Sequence, residues 1–179
     1  MTALYDAHAH IGTTEELTLR KKQNILSLIC ATDPEEAKQL EELAADPSLS
    51  SVIRPAFGLH PWKADQISFR AMEPWLLKAS VIGEIGLDSV WCSVPLSVQE
   101  KAFCAQLELA SAMKKPVILH TKGQEKHIAR LIRAYPNTYL VHWYSGGEGL
   151  SDFLDLDCYF TIGPDVFYQP AVQKAAVLA

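Results

Sequence analysis

The chain has 179 residues, 49% of them hydrophobic, and a formal net charge of −5. That length suits a single domain over 1–179 with a core of ordinary size. The acidic balance argues against a broad basic surface for gripping nucleic acid, yet it allows a phosphate site where bound cations supply the positive charge.

In chain order, residues 3–7 form a short, partly apolar strand leading into His8-Ala9-His10. Residues two apart on a strand point to the same side, so both imidazoles can meet one cation. Residues 15–22 are charged and suit a short helix; 24–31 read as a buried strand. Asp33-Pro34-Glu35-Glu36 opens a helix to about 45. It offers an N-cap, a proline in the first turn and acids at the positive end of the dipole. A third strand over 52–57 runs into Gly58-Leu59-His60-Pro61-Trp62, and a helix over 69–79 follows.

The fourth strand, Val81-Ile82-Gly83-Glu84-Ile85-Gly86-Leu87-Asp88, ends in a turn-forming Asp and is the centre of the pattern. Beyond it, 97–114 is an amphipathic helix with Phe103, Leu107 and Ala110 on one face. A strand over 116–119 ends on His120, a helix spans 124–134, and a strand over 138–141 ends on His142. A helix over 147–154, a seventh strand over 157–162 and a helix over 169–178 complete the chain. This alternation gives an α/β fold with a parallel sheet and right-handed crossovers. Five strand ends bear the six residues His8, His10, His60, Glu84, His120 and His142, and a TIM-type β/α barrel is the architecture that gathers strand ends at one point.

A carboxylate within the apolar run 81–88 is costly without a positive partner, and no basic residue adjoins Glu84. A metal ion compensates it. Imidazole with carboxylate suits zinc, manganese, iron or nickel, and carboxylate-rich sites also take magnesium. His8 and His10 can hold one ion with Glu84; His120 and His142 can hold a second, with Glu84 bridging. Two ions about 3.5–4 Å apart activate water and stabilise the leaving oxygen of a phosphodiester. His60 either contacts substrate or rigidifies its loop. Trp62, Trp91, Trp143 and Tyr144 follow strands, where they stack on bases or pack the loops. Lys122 meets a phosphate or is a solvated lysine, and His127 reads as a surface residue of its helix.

Cys30, Cys92, Cys104 and Cys158 form no C-x-x-C pair, which removes a zinc knuckle or thioredoxin-like motif. Residues 1–5 do not start a signal peptide, and no apolar run reaches the length of a bilayer span. The expectation is a reduced cytoplasmic protein with no membrane partner.

Taken together, Asp6-Ala7-His8-Ala9-His10, Gly58-Leu59-His60-Pro61, Gly83-Glu84-Ile85-Gly86-Leu87-Asp88, Pro116-Val117-Ile118-Leu119-His120 and His142-Trp143-Tyr144-Ser145-Gly146 resemble, in order and spacing, the motifs of TatD-like metal-dependent deoxyribonucleases. Gln99 and Phe103 fit the same pattern. That family lies in the amidohydrolase superfamily. The resemblance implies a barrel with two divalent metal ions (magnesium, manganese or zinc) and hydrolysis of DNA phosphodiesters. It implies His8, His10 and Glu84 as ligands of one ion, and Glu84, His120 and His142 as ligands of the other. It implies that His60 contacts substrate near the metals, so Glu84 and His60 are the candidate catalytic residues; Lys122, Trp62 and Trp143 are candidate substrate contacts from their own positions after strands.

The chain departs from the family at Thr121-Lys122, where an arginine is common, and at Trp143-Tyr144, where Cys-Phe is common. No Glu-Thr-Asp motif, which carries the family's last metal ligand on the eighth strand, occurs in the sequence. The expected fold is thus a barrel lacking the eighth strand and final helix, with Asp165 a weak substitute ligand. Its open edges invite a second copy of the chain. Two other functions stay in view: a related hydrolase of amides or lactones, and an inactive barrel remnant that self-associates.

Overall fold

Seven strands alternate with helices in the computed structural model, which describes residues 4–146 and 148–179. The strands are β1 (Leu4–His10), β2 (Ile25–Ala31), β3 (Ile53–Phe57), β4 (Val81–Asp88), β5 (Val117–Lys122), β6 (Tyr139–His142) and β7 (Tyr159–Phe160). The helices are α1 (Thr14–Gln23), α2 (Pro34–Ala45), α3 (Phe69–Lys78), α4 (Leu96–Ala112), α5 (Glu125–Ile132), α6 (Leu150–Leu154) and α7 (Pro170–Leu178). All strand pairs are parallel, in the order β1-β2-β3-β4-β5-β6-β7.

The sheet curls. In a flat sheet β1 and β6 would lie about 24 Å apart at normal strand spacing. Instead the rings of His8 on β1 and His142 on β6 stack with centroids 3.5 Å apart. Among the described residues the result is a TIM-like α/β half-barrel of seven strands, without an eighth, with β1 and β7 at its two edges.

Local sequence explains the elements. Thr13 caps α1 in a reciprocal capping box with Glu16, and Asn24, in the left-handed region, ends it. That placement starts β2 one residue later than the 24–31 expectation. Asp33 caps α2 through the amides of Glu35 and Glu36, with Pro34 at the first helical position. Helix α4 begins at Leu96, just after Pro95. The expected seventh strand over 157–162 shrinks to two residues because Asp157 turns left-handed before it (φ 51) and the chain swings into a 3-10 turn at Pro164–Phe167 after it. Of the helix expected over 147–154, Leu150–Leu154 is observed; Gly147, like Ala3 at the start of the first expected strand, lies outside the described residues.

Two apolar layers sandwich the sheet backbone. Outside, Ile29, Val117, Leu119 and Val141 meet Leu40, Met72, Leu76, Phe103, Leu107 and Ile128 from the helices. Inside lies a small cluster of Cys30, Ala56 and Ile118. Ile118 is two residues before His120 and shares its face, so this cluster is the floor beneath the polar strand ends. Among the described residues no helix is long and apolar enough to cross a membrane.

Candidate metal centre

Everything converges on Glu84. Its carboxylate is only 2% exposed, and among the described residues all of its ion-pair partners are histidines. Oε2 lies 3.5 Å from His8 Nε2, 3.7 Å from His10 Nε2 and 3.8 Å from His60 Nε2; Oε1 lies 2.9 Å from His120 Nδ1. His8 and His10 project from the end of β1, with their Nε2 atoms 3.3 Å apart. His120 stands opposite His142 in the β5–β6 register.

Two three-residue sets meet at Glu84: His8, Glu84 and His142, and His60, Glu84 and His120. The sequence pairing set His142 beside His120. The structure keeps His142 in register with His120, stacks its ring on His8, and brings His60 Nε2 within 3.3 Å of His120 Nδ1. His10 keeps contact with both His8 and Glu84 but is more than half exposed.

The donor set fits a divalent cation. Neutral imidazoles carry one N–H each, and here five crowd around a single carboxylate. Where His8 and His10 meet, one ring N–H donates to the other's lone pair, or both lone pairs turn to a shared cation. Nitrogen and carboxylate ligands of this kind suit zinc or manganese.

Neighbours orient the rings. Asp88 Oδ2 accepts from His120 Nε2 at 3.0 Å, leaving His120 Nδ1 toward Glu84. His142 Nδ1 meets Thr161 Oγ1 at 3.2 Å, and His8 Nδ1 meets the buried Cys30 Sγ at 3.4 Å. Asp88 is itself pinned: Trp62 Nε1 donates to Oδ2 at 2.7 Å, and the amides of Val90 and Trp91 donate to Oδ1 at 2.8 Å. Gln99 on α4 accepts from the Asp88 amide at 2.8 Å and donates to its carbonyl at 3.0 Å. Gln106, about two helical turns further on, clasps Leu59 in the same way and so places His60. Sequence reasoning took Asp88 for a turn residue. It is one, through Val90 and Trp91, but its position two residues after Gly86 on a site-bearing strand marked it as a candidate. Nothing in the sequence singled out Gln106 except its spacing of seven from Gln99.

The remaining candidates are placed as follows. Trp62 and Trp143 stand at the mouth of a cavity of about 880 Å³ that contains Glu84 and the histidines. Lys122 is buried rather than solvated, donating to Trp143 O at 2.7 Å and Ser145 Oγ at 3.1 Å. Asp165 accepts from Trp143 Nε1 and from the Tyr168 hydroxyl, and stands in neither of the two sets around Glu84.

Burial holds the imidazole of His8 down to about 4 against the pull of Glu84. It likewise takes His60 and His142 to about 3. Burial also pulls His120 down, but its bonds to Asp88 and Glu84 outweigh that and hold it above its ordinary value. Burial would raise Glu84, yet His120, His8 and His142 keep it well below the usual carboxylate range.

The sign of the pH dependence follows. Between pH 6.5 and about 4, the unfolded chain protonates His8, His60 and His142 while the folded chain does not. Each contributes a slope of at most about 1.4 kcal/mol per pH unit, and His120, held above its ordinary value, opposes them only above about pH 6.5. The metal-free protein is therefore expected to lose stability as pH falls from 7 to 4. Denaturant midpoints across that range check this; a midpoint independent of pH would count against neutral buried imidazoles.

The chain has relatives. The model of the family described as TatD related DNase matches residues 5–179. The uncharacterized metal-dependent hydrolase TatD of Mycobacterium tuberculosis is 25% identical over 83% of this chain and 63% of its own length. The 3'-5' ssDNA/RNA exonuclease TatD of a Rahnella species is 29% identical over 76% of this chain and 52% of its own. The chain thus spans less than two thirds of either relative. The crystal structure of YjjV, a TatD homolog from Escherichia coli, superposes with a TM-score of 0.80 at 24% identity, covering 96% of this chain and 72% of that one. With the family model running from β1 through α7, the chain belongs to the TatD-related DNase family.

Proposed function

We propose that the chain is a metal-dependent hydrolase of nucleic-acid phosphodiesters, built on two divalent cations that share Glu84. The observation that carries this reading is the meeting of two ligand sets on one buried carboxylate. When bound, such cations lower the pKa of water and neutralise charge on phosphoryl oxygens. His8, His60 and His142 stay unprotonated at neutral pH and would offer ring nitrogens, and the Glu84 carboxylate would serve both sets. Asp88 fixes the orientation of His120. His60 lies against both Glu84 and His120, where it can touch the reacting phosphate as well as complete its set. The names of the relatives support hydrolysis of DNA or RNA; the imidazole-rich donors favour zinc or manganese over magnesium.

The test is release of nucleotides from single-stranded DNA and RNA by manganese-loaded protein, beside a panel of esters and lactones. Nucleotide release abolished by chelator is expected. Activity confined to esters or lactones would replace the substrate class, and inactivity toward all of them would remove the reading.

Asp88→Asn is expected to lower manganese affinity about 10–100-fold, because the amide cannot hold His120 as a carboxylate does. Titration calorimetry checks it; an unchanged affinity would mean that Asp88 serves only the turn.

The sheet edges support a second proposal, that two copies associate through them. Leu4 and Tyr5 on β1 and Tyr159 on β7 are 55%, 76% and 65% exposed. A dimer in sedimentation velocity is expected, and a monomer at every concentration would reject it.

A further inference from the structure

The two sides of the centre are anchored by different chemistry. On the β5 side, His120 Nε2 donates to Asp88 Oδ2 at 3.0 Å. Asp88 is buried, and among the described residues His120 is its only ion-pair partner. A whole negative charge therefore stands behind one ring. On the β1 side, His8 Nδ1 meets Cys30 Sγ at 3.4 Å. A thiol is ordinarily neutral at pH 7 and is a weak hydrogen-bond partner. The one carboxylate on β1, Asp6, is paired with Arg20 at 2.6 Å.

A carboxylate behind a ligating imidazole raises the basicity of the ring, and such outer partners are each worth about 10–100-fold in metal affinity. Charge acts in the same direction. Glu84 and Asp88 both flank the His120 position, whereas the His8 position has Glu84 and an Asp6 already neutralised by Arg20. Water also reaches the two positions differently. The side chain of His10, beside His8, is 55% exposed; that of His60, beside His120, is 8% exposed. A second cavity of about 290 Å³ opens on His8 and His142 between β1 and residues 161–164, and His120 does not line it. Water close to a charge weakens its attraction for a cation.

We propose that the two cations are held unequally, the one beside His120 about 100-fold more tightly than the one beside His8, so that the centre loads in a fixed order. Hydrolysis that needs both ions then follows the filling of the weaker position. Over a range of free cation the chain holds one ion and is idle, and cation supply sets its activity. The inference rests on the two-cation reading and is the same whichever third histidine completes each set.

The test is a zinc titration of the metal-free chain, read by nuclear magnetic resonance at the histidine ring nitrogens. The His120 signals are expected to change to completion with the first equivalent, and the His8 signals with the second. Repulsion between two cations weakens the second step wherever it falls, so the order decides. Calorimetry of the same titration should show the two steps about 100-fold apart. Asp88→Asn should weaken the His120 step about 10–100-fold and leave the His8 step within about 3-fold, which abolishes the order. Cys30→Ala should leave the His120 step unchanged. His8 signals that change first, both sets changing in proportion from the first addition, or an Asp88→Asn chain with its order intact would overturn the proposal. A chain that takes up no second ion at saturating zinc would remove the proposal together with the two-cation reading. Ordered filling of two positions in a chain that hydrolyses no phosphodiester would keep the proposal and remove only the hydrolase.

Discussion

Glu84→Ala is expected to weaken divalent-cation binding at least about 100-fold and to abolish hydrolysis. The second-sphere partners of a metal ligand are each worth about 10–100-fold in affinity, and Glu84 is the one side chain common to both ligand sets. It is also the sole negative charge against which His8, His10 and His60 are all placed. Glu84→Gln separates charge from volume: the amide fills the space and cannot bridge two cations. Both variants should lose binding alike. Retained affinity in the glutamine variant would mean that the imidazoles alone make the site.

Gly86→Ala is expected to destabilise the fold by about 3 kcal/mol or more, at the upper end for overpacking. Gly86 is in register with His120 across the β4–β5 pair. A Cβ on it would stand 1.9 Å from the His120 carbonyl oxygen and 2.8 Å from its carbonyl carbon, and its φ of 155° suits glycine. Backbone cannot step aside as a flexible side chain can, so β5 must move away from β4. That motion separates His120 from Glu84, and metal affinity should fall together with the denaturation midpoint. A variant with normal stability and normal affinity would show that the two strands are more loosely coupled than this geometry implies.

The strand and helix alternation was legible because its signals are local. Thr13, Asp33 and Pro34 mark helix starts by their own hydrogen-bond chemistry, and the runs around Ile29, Ile85 and Ile118 are strand-like by composition. The convergence of His8, His60, Glu84, His120 and His142 was legible for a different reason: each ends a strand or follows one, and parallel strands present their ends together. Which histidine stands beside which was not legible. The curl of the sheet decides it, bringing β1 against β6 so that His8 meets His142, and this depends on contacts between distant elements. Asp88 and Gln106 were missed because both have ordinary local explanations, a turn aspartate and a helical glutamine. Only the fold shows Asp88 on His120 and Gln106 on Leu59. Lys122 could not be judged either, since its burial comes from Trp91 and Trp143 on two separate loops.

The measurement that tests the central claim most directly is the metal content per chain of protein loaded with manganese or zinc and then desalted, read by mass spectrometry beside Glu84→Ala. Two ions on the native chain and a loss of both from the variant are predicted. A native chain that retains none, or a variant that retains as many as the native chain, would contradict a metal centre organised around Glu84.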